Sequence, residues 1–393
     1  MSLKFRLSAL NFLQNITFAS TLICLGNYLL QTLHFSGREV GMVYATMAVA
    51  ATLTPPIIGW LADYRFSVNR LLLLLNLLCA SFLGAAYFAT EFWVVYVLVL
   101  GFYLCFMPTF SLVASLCFHQ LPDAARQYPR VRVWGTVSFM LVGLALSLFG
   151  WEASALTFLI GCGGALASAW LSTQLPAVPP QPGFNLAMLR GDEVRSLWQD
   201  RGLIVLLLAI LLSTLPSSFY YSFLNPFLNE VGWKAAAAKM SLGQLCEIAV
   251  VLATPFMLRR VRFRRVVFWG LLVWGLRYVA FSVGRPGHFE WLLYAGIAVQ
   301  GFAFAWIVIA AQIYVNNRVP GNLRSTAQGL VVFANQGLGA FFGAWIAGEV
   351  VLANTLPGGG HDWSSIWVVP AVAGVLSALL FWYFFPRAGR LEG

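Results

Sequence analysis

Hydrophobic and polar positions fall along this chain in long blocks rather than in narrow stripes. Predominantly apolar runs recur from one end to the other, near 8–30, 40–60, 71–89, 92–117, 132–149, 153–173, 202–229, 235–257, 266–283, 291–313, 326–350 and 364–385. A helix needs about 20 such residues to cross the hydrocarbon core of a bilayer. A helix also satisfies its own backbone polar groups where no water is at hand. The pattern therefore predicts an all-α membrane protein with twelve transmembrane helices.

The longest polar interruption runs from Pro176 to Arg201. It opens with Pro176, Pro179, Pro180 and Pro182 and continues with Arg190, Asp192, Glu193, Arg195 and Asp200. The prolines break helix at its start, and the charges keep the segment in water. It predicts an N-terminal six-helix half at 1–175, a linker at 176–201 and a C-terminal six-helix half at 202–393. The halves echo each other. The loop after span two, Gly59-Trp-Leu-Ala-Asp63-Tyr-Arg65 through Arg70, has its counterpart after span eight in Leu258-Arg-Arg-Val-Arg-Phe-Arg-Arg265. Spans five and eleven both open on an arginine followed closely by glycine, Arg132-Val-Trp-Gly135 and Arg324-Ser-Thr-Ala-Gln-Gly329.

Composition agrees with lipid as the solvent. Residues are 60% hydrophobic and 10% charged, against about 25% charged in a soluble domain. The net charge of +10 raises the question of a nucleic-acid partner, and its distribution answers it. With the N-terminus placed in the cytoplasm, 19 lysines and arginines fall on the cytoplasmic side and 4 opposite (Arg38, Lys234, Lys239 and Arg285), with Arg277 inside a span. The positive-inside rule accounts for this excess and predicts both termini in the cytoplasm. Lys4 and Arg6 precede the first span, but Gln14, Asn15 and Asn27 interrupt it and no small-residue cleavage site follows, so it is expected to remain in the mature protein.

Cys24, Cys79, Cys105, Cys117, Cys162 and Cys246 lie within or beside apolar spans without CxxC spacing, which suggests neither a disulfide framework nor a metal site. His34, His119, His288 and His361 read as single loop residues without a role. No GxxxxGK[ST] loop occurs, which argues against ATP-driven pumping. With no metal cluster and no nucleophile–base pair in the spans, an enzyme is not expected.

Ionisable groups at membrane depth are costly and mark function. Glu247 is the one carboxylate clearly mid-span, and Gln244 lies three residues before it on the same helix face. Arg277, on the next helix, is expected to be the ion-pair partner of Glu247, since each alone would be uncompensated. Reversible proton carriage needs a carboxylate at this depth, so Glu247, with Arg277, is the proton-coupling candidate. Arg132, Thr136 and Phe139 share one face of span five and suit an uncharged polar ligand with a flat part. Span seven, with Ser213, Thr214, Ser217, Ser218, Tyr220, Tyr221, Ser222 and Asn225, is too polar to face lipid. Span ten adds Phe304, Trp306 and Gln312, and span eleven adds Asn335 and Gln336. The Gly337, Gly339 and Gly343 stripe reads as close helix packing.

Two parallel six-helix repeats are the layout of the major facilitator superfamily, and the Gly59–Arg70 loop resembles its G-x-L-(a)-D-x-x-x-x-x-x-R signature. In that resemblance Asp63 and Arg70 form a conformational latch. The chain further resembles the nucleoside:proton symporter family through Phe106-Met-Pro-Thr109, Tyr128-Pro-Arg-Val-Arg-Val-Trp-Gly-Thr136, Ser241-Leu-Gly-Gln-Leu-Cys-Glu247, Leu276-Arg-Tyr278 and Asp362-Trp-Ser-Ser-Ile-Trp367. The resemblance implies uptake of a nucleoside driven by the proton gradient, without other cofactor, across a bacterial inner membrane by a monomer. It implies a nucleoside site lined by Arg132, Thr136, Phe139, Gln244 and Glu247, which Ser218, Tyr221 and Phe304 are expected to join. Ser218 and Tyr221 stand where the family carries a different polar pair. Where members carry an aspartate in span ten, this chain reads Phe302-Ala-Phe-Ala305-Trp306, so either Glu247 carries coupling alone or the stoichiometry differs. A proton symporter for a sugar or an aromatic acid is the alternative reading.

The charge distribution yields the first test. A reporter enzyme active only outside the membrane, fused after Gln181 or at the C-terminus, is expected to stay silent. Activity at either position would overturn the twelve-span topology.

Overall fold

The computed structural model describes residues 2–179, 197–319 and 323–386. Most of the charged linker (Arg190, Asp192, Glu193 and Arg195) lies outside these residues. For Asp63, Phe304, Ala305 and Arg324 the backbone is described and the side chain is not.

Each apolar block forms a helix. We number the twelve long helices α1 (Leu3–Thr32), α2 (Gly37–Tyr64), α3 (Val68–Ala86), α4 (Phe92–Gln120), α5 (Ala124–Leu148), α6 (Leu156–Thr173), α7 (Arg201–Glu230), α8 (Ala236–Arg260), α9 (Phe263–Val283), α10 (Glu290–Val315), α11 (Ala327–Ala353) and α12 (Trp363–Phe384). Among the described residues, eleven are long and apolar enough to span a membrane. The other, α8, carries Lys239, Gln244 and Glu247 within its 25 residues. Many large apolar side chains, such as Leu53, Ile57, Trp170, Trp291 and Tyr383, point outward, as lipid-facing surfaces require. This is a multi-pass helical membrane protein.

Local chemistry sets the helix ends. Ser36 and Glu39 form a reciprocal capping box at the start of α2, which satisfies two otherwise orphan donors. Asp200 accepts from the Gly202 and Leu203 N–H groups at the start of α7. Asp362 caps α12, and hydrogen bonds from the Ser365 hydroxyl and backbone hold its carboxyl below the usual range. The buried Glu152 carboxylate accepts from the Ala237 N–H at the head of α8, where a negative charge meets the positive end of the helix dipole.

Contacts divide the chain into two compact units, residues 1–185 with 234–241 and residues 186–233 with 242–393. In the first, α1 packs on α5 and α6, α3 on α4 and α6, and α2 on α4. In the second, α7 packs on α11 and α12, and α9 on α10 and α12. Adding six to each number of the first set generates the second, so the echo between sequence halves has a packing counterpart. The α2–α4 pair likewise has its counterpart in α8 and α10, where Gly301 lies against the backbone of Glu247.

Glycines allow the closest approaches. A Cβ on Gly374 of α12 would lie 2.5 Å from the Gly275 Cα of α9, and one on Gly275 would lie 2.7 Å from the Val375 nitrogen. The α11 stripe acts as its spacing predicts: a Cβ on Gly339 would sit 2.9 Å from the Thr214 Cβ and one on Gly343 2.9 Å from the Ser218 Cβ. Small residues let backbones touch where lipid supplies no hydrophobic drive between helices. Among the described residues, short π-helical stretches end α1 (Tyr28–Thr32) and interrupt α10 (Phe304–Ile309) and α11 (Phe333–Gly339). Such turns carry an extra residue and re-aim the side chains that follow.

The α9–α12 seam is open to test. Gly374→Leu is expected to destabilise the protein by about 1–3 kcal/mol, seen as a lower melting temperature in detergent. Gly163→Leu, where a Cβ meets nothing within 4 Å, serves as the control and should stay within about 0.5 kcal/mol. Equal melting temperatures for the two variants would show that the seam tolerates a side chain.

Candidate functional site

In the first unit, α5 carries Arg132 exposed and Thr136 and Phe139 half-buried. Phe139 tilts against Phe18 of α1 at 6.4 Å between ring centres, and Phe18 in turn stacks on Phe106 at 5.8 Å. Gly135, between Arg132 and Thr136, abuts the side chain of Asn15, so α1 and α5 meet at this level. The polar interruptions of span one are occupied: Gln14 donates to the Thr109 hydroxyl at 2.8 Å, and Asn27 to the Glu152 carbonyl at 3.1 Å. Asn15 bonds its own helix, at the Asn11 carbonyl. The face named from spacing is thus a polar and aromatic strip backed by phenylalanines. Arg70 is exposed at the start of α3. The Asp63 side chain of the expected latch lies outside the described residues.

In the second unit the chemistry centres on Arg277. It is 2% exposed, and its guanidinium lies 4.0 Å from the ring centre of Tyr220, 4.6 Å from Trp274, 5.3 Å from Tyr278 and 5.5 Å from Phe281. Among the described residues no ion pair joins Arg277 to Glu247. Nη1 donates instead to Oε1 of Gln300 on α10, while Nε and Nη2 make no hydrogen bond among the described residues. The physical reason is local. Four ring faces offer the cation an electrostatic cradle, and the Gln300 amide, itself 1% exposed, reaches in between them from the neighbouring helix. Gln300 then donates through Nε2 to the Tyr221 hydroxyl at 3.0 Å.

Glu247 is half-buried in the middle of α8, one turn after the half-buried Gln244. Its position is set by glycines on both sides of the helix contact. A Cβ at Gly301 would collide with the Glu247 backbone, and one at Gly243 would lie 3.1 Å from the Ile297 carbonyl and 3.3 Å from the Gln300 Cβ. Glu247 lies within electrostatic reach of both Tyr220 and Tyr221. The structure therefore brings Glu247, Tyr221 and Arg277 into one neighbourhood, with Gln300 as the intermediary.

Ser218 is placed differently from Tyr221. It is 7% exposed, and its hydroxyl bonds the Thr214 carbonyl at 3.2 Å and the Ala340 carbonyl of α11 at 3.4 Å. Thr214 donates to Asn335 of α11 at 2.9 Å. Much of the polar character of span seven is thus used in joining α7 to α11. Phe304 opens a π-helical stretch, its side chain outside the described residues. Among the histidines, His119 falls in the last turn of α4 rather than in a loop, and His361 pairs through Nδ1 with Glu230 at 2.8 Å.

Gln300 went unnoticed in the sequence because a single amide in an apolar run carries no periodic signal. The only available cue was the need of Arg277 for an acceptor on an adjacent helix.

Comparison with known proteins gives this geometry a context. The xanthosine permease of Escherichia coli (strain K12) is 30% identical over 407 aligned residues, covering 98% of this chain and 96% of that protein. The nucleoside permease NupG of the same organism is 28% identical over 403 residues, with the same coverage. The crystal structure of a mutant of the nucleoside transporter NupG superposes with a TM-score of 0.93 at 27% identity, covering 98% of this chain and 100% of that one. A family model described as nucleoside H+ symporter matches residues 1–390. The match spans both units and every residue of the Arg277–Gln300–Tyr221 chain, and on it the protein belongs to the nucleoside H+ symporter family.

Proposed function

We propose that this protein takes up nucleosides together with protons by alternating access, acting as a monomer in a bacterial inner membrane with both termini in the cytoplasm. Two six-helix halves, 1–175 and 202–393, joined by the 176–201 linker, move about the substrate. The observation that supports the reading is a carboxylate held mid-helix by backbone packing: Glu247 sits in the middle of α8, its backbone against Gly301. Membership of a nucleoside H+ symporter family supplies the reaction class.

In this reading Arg132, Thr136 and Phe139 on α5 bind the nucleoside from one half. Gln244, Glu247, Ser218, Tyr221 and Phe304 do so from the other. Phe139, backed by Phe18 and Phe106, offers a ring face to the flat base. Glu247 takes up the proton, and Arg277, held by one hydrogen bond to Gln300 and by its aromatic cradle, keeps a positive field nearby that favours release. Asp63 and Arg70 act as the latch. Alanine at 305 leaves proton coupling to Glu247.

Binding and coupling separate experimentally. Arg132→Ala removes a charge-assisted hydrogen bond worth roughly 1.5–3 kcal/mol, so calorimetry is expected to show an affinity for uridine or adenosine about ten- to hundredfold weaker. An unchanged affinity would reduce Arg132 to a topology charge. Glu247→Gln keeps shape and hydrogen bonding but releases no proton. In vesicles it should lose accumulation driven by a pH gradient and still exchange labelled for unlabelled nucleoside. A folded Glu247→Gln protein that concentrates substrate on a pH gradient would remove the coupling role. Uptake of a labelled sugar, with none of uridine or adenosine, would favour the sugar symporter instead.

A further inference from the structure

We propose that Gln300 fixes the direction of hydrogen bonding at Tyr221, so that this tyrosine offers a bound nucleoside a donor and not a lone pair. The inference rests on Tyr221 being a substrate contact and adds to it a rule of chemical selection.

The argument runs through donors and acceptors. A guanidinium has five N–H donors and no acceptor. The two ends of a glutamine amide are usually hard to tell apart, but here the neighbour decides. Nη1 of Arg277 meets the amide, so the end facing it must be the oxygen. The other end, an –NH2 with donors only, faces the Tyr221 hydroxyl at 3.0 Å. Tyr221 must therefore accept, and its single proton turns elsewhere. Among the described residues no protein acceptor is hydrogen-bonded to that proton. Tyr221 is itself half-buried, and in this proposal its proton is what a bound ligand meets.

The arrangement has little room to reverse. Gln300 is 1% exposed, and Gly243 packs so closely that a Cβ there would lie 3.3 Å from the Gln300 Cβ. Turning the amide over would set its –NH2 against a buried cation and its oxygen against the tyrosine, leaving Arg277 without its one hydrogen bond. The permanent charge of Arg277, itself no part of the ligand contact, thus decides what Tyr221 presents. The selected group is an acceptor on the nucleoside: a base carbonyl, an unprotonated ring nitrogen or a sugar oxygen. An N–H at that point would meet donor with donor, and a buried unmade pairing of this kind is worth about tenfold in affinity.

Gln300→Glu tests the rule by reversing it. A carboxylate of nearly the same shape still accepts from Arg277, and it also accepts from Tyr221. The hydroxyl then donates inward and shows its lone pairs to the ligand. In ligand-free protein with ring-labelled tyrosine, the infrared difference between wild type and Tyr221→Phe is expected to show a phenol C–O stretch typical of an accepting hydroxyl. In the Gln300→Glu background the same difference should show a donating one. Identical bands in the two backgrounds would overturn the proposal, and this readout needs no substrate.

Calorimetry with uridine and adenosine supplies the second arm. Gln300→Glu and Tyr221→Phe are each expected to bind about tenfold more weakly, and the double variant no more weakly than Tyr221→Phe alone. Additive losses would mean that Gln300 acts independently of Tyr221 and would overturn the proposal. If Gln300→Glu fails to fold, Gln300→Met removes both bonds and should shift the infrared band away from the accepting position; an unmoved band would overturn it as well. Wild-type protein that binds neither nucleoside would sink the substrate reading of Tyr221, while the infrared comparison still decides the direction of its hydroxyl.

Discussion

A guanidinium at membrane depth keeps its charge, and the surroundings of Arg277 are arranged to accept that fact. Four aromatic rings surround it, and a single amide oxygen takes one of its hydrogen bonds. Two of those rings belong to Trp274 and Tyr278, the side chains that tie α9 to α7 through the Ser213 and Pro216 carbonyls. Phe281 and Tyr278 also pack against Trp367 of α12. One cation thus organises the contacts among α7, α9, α10 and α12, and the polarity of its neighbours follows from its lack of any acceptor.

Helix contact in lipid depends on close fit more than on apolar burial, and here the fit is made by glycine. The Gly275–Gly374 seam joins α9 to α12, Gly339 and Gly343 seat α11 on α7, and Gly301 with Gly243 seats α10 on α8. In the last case the fit has a chemical product, because it fixes Glu247 beside Gln300 and the tyrosines without relying on a flexible side chain. The first unit repeats the scheme with Gly161 and Gly164 of α6 against Ser20 and Thr17 of α1.

Much of the fold was legible in the sequence, since the requirement for about 20 apolar residues per span is strict and, among the described residues, every long helix but α8 meets it. The glycine stripe of α11 was also readable, because small residues at helical spacing have few other uses in a membrane. Side-chain pairing was less so. Glu247 and Arg277 looked like natural partners on charge alone, but an arginine beside Tyr220, Trp274, Tyr278 and Phe281 has π faces as well as carboxylates to choose from. Hydropathy does not reveal which helix contributes the nearest amide. The hydroxyls of α7 were recognisable as buried, but not which of them line a cavity and which, like Ser218, are used up in a helix joint. Spacing gives the face of a helix, and the neighbour facing it decides the use.

The connection between α11 and α12 carries three consecutive glycines, Gly358, Gly359 and Gly360, with φ of 99°, 95° and 82°. The Leu356 N–H bonds the Gly360 carbonyl, Thr355 bridges to His361, and the His361 N–H meets Glu230. Positive φ at three successive residues is the territory of mirror-image amino acids. The segment is therefore three successive residues of backbone that L side chains rarely adopt. A D-alanine introduced there by semisynthesis would keep the backbone in its native path, whereas the L-alanine that ordinary mutagenesis supplies would be strained at the same position.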